Sequence, residues 1–236
     1  EVAKLTDHWL HPKQGTDAAL AFAFGHVILK EVHVDKPADY FIDYCRQYTD
    51  MPLLVRLERR ADGRLVPERF LRASDLGGLG ESNNPEWKTL AFDEKSDQVT
   101  VPNGSVGFRW GEKGKWNIEE KDSAGRETRL RLSLKDAHDG IEAVSFPYFG
   151  GVEHDRFTAS KFSDILERHI PVRRLKLSDG KQWEVATVYD LLLAHYGVDR
   201  GFGGGNVAAN YDKDLPGTPA WQERISGVPR AEVIEI

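Results

Sequence analysis

Met51-Pro-Leu-Leu-Val-Arg-Leu-Glu-Arg-Arg-Ala-Asp-Gly-Arg-Leu-Val-Pro-Glu-Arg-Phe-Leu71 is where the chain changes its periodicity. Residues 53–57 read as a strand, Asp62-Gly63 as a hairpin turn and residues 65–71 as the returning strand. Everything before this stretch reads as helix. Thr16 or Asp17 is placed to cap a run in which Leu20, Phe24, Val27, Ile28 and Leu29 recur at helical spacing. Pro37 then opens a second helix, with Tyr40, Phe41, Tyr44, Cys45 and Tyr48 as its apolar face, and Met51-Pro52 ends it. The clearest internal boundary therefore falls near Met51.

Beyond the hairpin, strand-like pieces at 88–92, 98–101, 106–110, 128–134 and 142–146 are separated by Asn, Asp and Gly clusters. Helix is expected again over 159–169, with Thr158 as its cap. Residues 172–177 and 182–187 face each other across Asp179-Gly180 as a second hairpin. A helix over 188–196 closes at Gly197, where a left-handed residue is wanted. A glycine-rich loop, 201–205, precedes a short helix over 219–225, and Pro229 opens a last one. Val233, Ile234 and Ile236 still continue that apolar pattern at the end, and the opening Glu1-Val2-Ala3-Lys4-Leu5 has neither a Met nor a signal-peptide layout. Both ends read as cut. The expected class is α/β, divided into a helical part (1–51), a β-rich insertion (52–157) and an α/β return segment (158–236).

Composition narrows the function. With 236 residues, 40% of them hydrophobic, the chain can bury a substantial core. Its 38 acidic against 32 basic residues give a net charge of −6, which offers no basic field to a nucleic acid. The longest apolar stretch, 18–29, is interrupted by Gly25 and His26 and is shorter than the roughly 20 residues a membrane span needs. Cys45 is the only cysteine, so neither an internal disulfide nor a thiolate-held iron–sulfur cluster can be built from this chain. Cys45 itself reads as a core thiol.

Few residues offer chemistry. Gly15-Thr16-Asp17 at a helix start supplies free backbone N–H groups, the positive end of a helix dipole and a carboxylate able to accept two parallel hydrogen bonds. A guanine, which presents its ring N–H and exocyclic amine side by side, suits such an acceptor, and Gly15 lets a ligand approach the backbone. The same residues serve equally as a plain helix cap. Arg109, Lys113 and Lys115, set among two tryptophans between Gly107 and Asn117, could guide an anion or form a tight basic turn. The 201–205 loop follows a helix and lacks the acidic partner of a dinucleotide fingerprint. His8 and His11 lack a converging third ligand. By these residues alone the chain is a soluble α/β module with a nucleotide-facing helix start.

Several motifs go further. The segment 3–27, with Pro12-Lys-Gln-Gly-Thr-Asp-Ala-Ala-Leu20 at its centre, resembles the molybdopterin oxidoreductase superfamily. Tyr48-Thr-Asp-Met-Pro52, Phe70-Leu-Arg-Ala-Ser-Asp75, Asn83-Asn-Pro-Glu-Trp-Lys-Thr89, Pro102 to Asn117 and Phe146-Pro-Tyr-Phe-Gly-Gly151 resemble the respiratory nitrate reductase alpha subunits within it, as do 166–177, Thr187 to Leu191 and Thr218-Pro-Ala-Trp221. The resemblance implies an internal fragment of a larger multidomain catalytic subunit that reduces nitrate to nitrite. It implies a partial Rossmann-like layer carrying residues 1–51 and 158–236, with an inserted α+β, β-hairpin-rich region. It implies a molybdenum bis(molybdopterin guanine dinucleotide) cofactor contacted by Gln14, Gly15, Thr16 and Asp17, and an iron–sulfur cluster whose ligands lie outside this sequence. No catalytic residue or metal ligand transfers to it. The implied partners are the rest of the alpha subunit, an iron–sulfur beta subunit and a membrane haem gamma subunit, at the cytoplasmic face of the inner membrane, with the fragment inactive alone. The competing reading is an independent, non-catalytic binding module.

Overall fold

The hairpin at the helix-to-strand change forms as its pattern requires. In the computed structural model, which describes residues 2–77, 84–104, 118–122, 124–147 and 165–236, β1 (Leu54–Arg59) pairs antiparallel with β2 (Leu65–Phe70). Their register shifts between Arg56 and Leu57, opposite Pro67, which has no N–H to give the ladder. β7 (Gly140–Pro147), β8 (Ile165–Lys176) and β9 (Gln182–Thr187) complete a closed barrel in the order β1-β2-β7-β8-β9, in which β2 meets β7 in parallel through Leu65 and Val144. β8 and β9 are the second expected hairpin, antiparallel with Arg173 opposite Val185. Two small pairs stand beside the barrel in sequence: β3 (Ala91–Phe92) with β4 (Val99–Thr100), and β5 (Pro102–Gly104) with β6 (Ile118–Asp122). The class is thus mixed α and β, with a small closed sheet.

The chain divides into two compact units, one of residues 38–144 and 169–192, the other of 1–37, 145–168 and 193–236. The first unit holds most of the barrel. Its main core gathers Leu54, Leu71, Leu90, Phe92, Val101, Leu134 and Val185. Beside that core lies a fully buried carboxylate. Asp190 accepts hydrogen bonds from the Ser133 hydroxyl at 2.7 Å, the Leu134 N–H at 2.8 Å and the Thr187 hydroxyl at 2.9 Å. It stands in the first turn of α3 (Val188–His195), where negative charge also meets the positive end of the helix.

Three sequence expectations need correction in these elements. Residues 165–169, expected as the end of a helix, belong to β8. Arg168 and Ile170 are buried while Glu167 is exposed, and Pro171, itself buried, pushes the residue before it toward extended backbone. The remainder of that expected helix, 159–164, lies outside the described residues, as do the piece at 106–110 and the basic turn with Arg109, Lys113 and Lys115. The second helix, α2 (Asp39–Tyr48), forms, but its aromatic side faces out: Tyr40 is 72% exposed, and Phe41, Tyr44 and Tyr48 are also exposed. Its buried side is Cys45 and Arg46, whose guanidinium donates to the Leu130 carbonyl and the Asp43 and Glu94 carboxylates, each at 3.1 Å. Burial raises the Cys45 thiol above its ordinary range, in keeping with a core role. Residues 128–134 make only one bridge to the 91–93 region, Leu130 to Asp93, rather than a ladder.

In the second unit α1 (Asp17–Leu29) packs on α4 (Pro219–Ser226) and α5 (Arg230–Glu235). Ala19 and Phe22 meet Trp221 and Ile225, and Leu20 and Ala23 meet Val228 and Val233. Gly25 and His26, which interrupt the apolar run in the sequence, both serve Tyr196. A Cβ at Gly25 would lie 2.1 Å from the tyrosine ring, so only glycine admits it. His26 donates from Nδ1 to the Tyr196 carbonyl at 2.8 Å, which leaves Nε2 as the unprotonated nitrogen, buried with no hydrogen-bond partner among the described residues.

Burial lowers the His26 imidazole below its ordinary value, with the Arg168 and Lys30 charges adding to the effect. Burial likewise lowers His195, helped by Arg168, and His33. All three therefore take up protons more readily unfolded than folded. The stability carried by the uncharged rings is complete above the unfolded value of 6.5 and is lost as the pH falls through their lowered folded values. Thermal melts are expected to shift to lower temperature between about pH 7.5 and about pH 5.5. Coincident melts would contradict the neutral-histidine account.

Candidate functional site

A type II turn precedes α1. The Thr16 N–H donates to the Lys13 carbonyl at 3.1 Å, and Gly15, at φ +78°, occupies the third position, which takes a left-handed residue. A Cβ placed at Gly15 would meet nothing within 4 Å, so the space over this backbone is open. Thr16, the expected cap, stands at the N-cap position of α1 and is buried. Its hydroxyl turns back to the Lys13 carbonyl and caps no helical N–H. The start of α1 thus has no side-chain cap, while Gln14, Gly15 and Asp17 are exposed. A helix start with uncapped N–H groups, an open glycine and a solvent-facing carboxylate can accept a ligand that carries both negative charge and a paired N–H edge.

The turn rests on the end of α4. The Lys13 N–H donates to the Ser226 carbonyl at 2.8 Å, and Gly227, at φ +79°, ends α4 beneath the Lys13 side chain, where a Cβ would come to 3.3 Å from Lys13 Cε. Gln222 and Ser226 are completely buried. The Ser226 hydroxyl donates to Gln222 Oε1 at 2.7 Å, Gln222 Nε2 donates to the Val228 carbonyl at 2.9 Å, and the Val228 N–H donates to Ser226 Oγ at 3.0 Å. This closed ring of hydrogen bonds fixes the peptide that the turn hangs on.

The other sequence candidates do not join this site. His11 faces Trp9, ring centroids 5.4 Å apart, and no group of three metal-ligating side chains occurs among the described residues. In the glycine-rich loop, the Gly201 N–H donates to Asp199 and Arg200 lies over the Phe202 ring. Sequence reasoning passed over Gln222, Ser226 and Arg168. Arg168 is 1% exposed and has no carboxylate among its hydrogen-bond acceptors in the described residues. Its guanidinium donates to the carbonyls of Ala194, Asn206 and Pro216, each at 2.8 Å, and to that of His195. Burial lowers it to about 10, so it stays charged at neutral pH. Two of those carbonyls end α3, the negative pole of that helix. A period-two pattern over 166–172 was the one available signal that Arg168 points inward.

Comparison with known proteins gives consistent relatives. The chain is 59% identical over 231 residues to the respiratory nitrate reductase 2 alpha chain of Escherichia coli (strain K12), covering 98% of this chain and 18% of that one. It is 54% identical over 238 residues to the respiratory nitrate reductase 1 alpha chain of the same organism, covering 100% and 19%. It is 43% identical over 237 residues to the respiratory nitrate reductase alpha chain of Bradyrhizobium sp, covering 100% and 22%. No family model matches. The chain spans about a fifth of the length of these curated relatives.

Proposed function

This chain belongs, over the segment it spans, to the respiratory nitrate reductase alpha chains, and on that premise we propose that it forms part of a catalytic subunit that reduces nitrate to nitrite. Its own share of the work is to hold one guanine end of a molybdenum bis(molybdopterin guanine dinucleotide) cofactor, with residues 1–51 and 158–236 contributing to a Rossmann-like layer and 52–157 as the insertion. The uncapped start of α1, with Gly15 open above it, is the observation that carries this reading. Asp17 would accept from the two N–H groups of the guanine edge, Gly15 would let the nucleotide reach the backbone, and Gln14 and Thr16 would shape the turn. When bound, the cofactor supplies the two-electron chemistry that removes one oxygen atom from nitrate. The chain's residues bind and orient it. Catalytic residues and the iron–sulfur cluster ligands are assigned to the remaining four-fifths of the subunit, and the whole subunit works with electron-transferring beta and gamma subunits at the cytoplasmic membrane face. No helix among the described residues is long and apolar enough to cross a membrane.

An Asp17→Ala change in the full-length alpha chain removes a paired, charge-assisted contact, which is worth a factor of about ten or more in affinity. Molybdenum per alpha chain, measured by mass spectrometry of the purified protein, is expected to fall severalfold, and nitrate reduction by a viologen dye with it. Unchanged molybdenum content would overturn the guanine assignment and return this helix start to a purely structural role.

A further inference from the structure

The ring of hydrogen bonds at the end of α4 does more than end a helix. A buried C-terminal turn needs its carbonyls satisfied, and two are met by backbone donors: the Gly227 N–H, from the left-handed region, donates to the Glu223 carbonyl at 2.9 Å and the Lys13 N–H to that of Ser226. Gln222 and Ser226 are additional. A glutamine and a serine, both wholly removed from water, are costly to bury unless every polar atom is matched. Here they are matched to each other and to both sides of the Val228 peptide. The amide of Gln222 is thereby held in one orientation, since its oxygen must receive the Ser226 hydroxyl and its nitrogen must reach the Val228 carbonyl. What this rigid ring presents outward is the Ser226 carbonyl, and that carbonyl receives the Lys13 N–H at the first position of the Gln14-Gly15 turn.

We infer that Gln222 is a positioning residue for the nucleotide contact: through Ser226 it fixes the platform on which the Lys13–Thr16 turn sits, and so sets where Gly15 and Asp17 meet the ligand. The inference rests on the cofactor reading given above. Gln222 touches no ligand itself. Gly227 belongs to the same device, because its φ of +79° strains any other residue at the end of α4, directly after the Ser226 carbonyl that holds the turn.

The test uses the full-length alpha chain with Gln222→Leu, and with Ser226→Ala as the milder second variant. Two quantities are measured: backbone hydrogen exchange over residues 13–17 against residues 20–29 in cofactor-free protein, and molybdenum and guanine nucleotide content after assembly. The positioning role requires exchange at the Lys13 amide to quicken by about tenfold or more while the interior of α1 is unchanged, and cofactor content to fall severalfold. Uniformly faster exchange along the whole of α1 would mean that the ring is merely structural and would overturn the inference. So would unchanged cofactor content in a variant whose turn has loosened. Failure of the cofactor reading itself is separable, since Asp17→Ala would then leave the content unchanged whatever Gln222 does.

Discussion

Replacing Arg168 by methionine is expected to cost about 4 kcal/mol or more of folding stability, enough to consume most of what an ordinary domain possesses. Methionine fills much of the same volume and removes a buried charge, which in other settings is neutral or even stabilising. Here the balance goes the other way because of what the guanidinium leaves behind. The carbonyls of Ala194, His195, Asn206 and Pro216 converge on it from three separate stretches of chain, and each would lose a charged donor around a side chain that is itself almost wholly buried, with the Gly197 N–H still donating to the Ala194 carbonyl. Arg168→Lys is expected to recover little, since one ammonium cannot span the fan of directions that the planar guanidinium covers. Urea denaturation followed by circular dichroism measures both variants, and a wild-type midpoint for either would contradict the account of this residue as a tie between segments.

The second large effect is expected at Asp190. Asp190→Ala removes the acceptor of the Ser133 and Thr187 hydroxyls and of the Leu134 N–H, all donors to a carboxylate that is wholly buried. Hydrogen bonds to a charged acceptor are worth about 1.5 to 3 kcal/mol each, and losing them together is expected to cost about 3 to 5 kcal/mol. The same residue begins α3 directly after β9, so the loss also loosens the joint between the barrel's last strand and the helix that follows. A denaturation midpoint within error of wild type would contradict it.

Both residues mark the limit of what the sequence discloses. Elements with local signatures were legible: the two hairpins at Asp62-Gly63 and Asp179-Gly180, the helix that follows Gly15, and the glycine stop after α3 each declare themselves within a few residues. Closure of five strands into a barrel was not legible, because it depends on pairings such as Leu54 with Thr187 across more than half the chain. The helix expected over 159–169 failed at 165–169 for a related reason. Leu166 and Ile170 match helical spacing as well as strand alternation, and only the inward Arg168 and the proline at 171 separate the two. The aromatic residues of α2 misled in the opposite direction, since hydrophobic character predicts burial and four of them lie on the surface.

The candidate site was half legible. Gln14, Gly15, Thr16 and Asp17 announced a helix start, and the helix begins there, with Gly15 in the left-handed region, open space over it and an uncapped first turn. The capping role expected of Thr16 did not appear, because its hydroxyl closes the preceding turn instead. Gln222 and Ser226 lie some two hundred residues away along the chain, and nothing local distinguishes them from surface polar residues of a short helix.

The central claim is that this chain supplies a guanine contact of the cofactor, and a structure of the full-length, cofactor-loaded alpha chain tests it most directly. The distance to measure is from the Asp17 carboxylate oxygens to the ring N–H and exocyclic amine nitrogens of the nearest guanine. Two contacts of about 2.7 to 3.1 Å, with the nucleotide lying over Gly15, are expected. A guanine edge that meets other residues or solvent, with Asp17 pointing away from it, would contradict the claim.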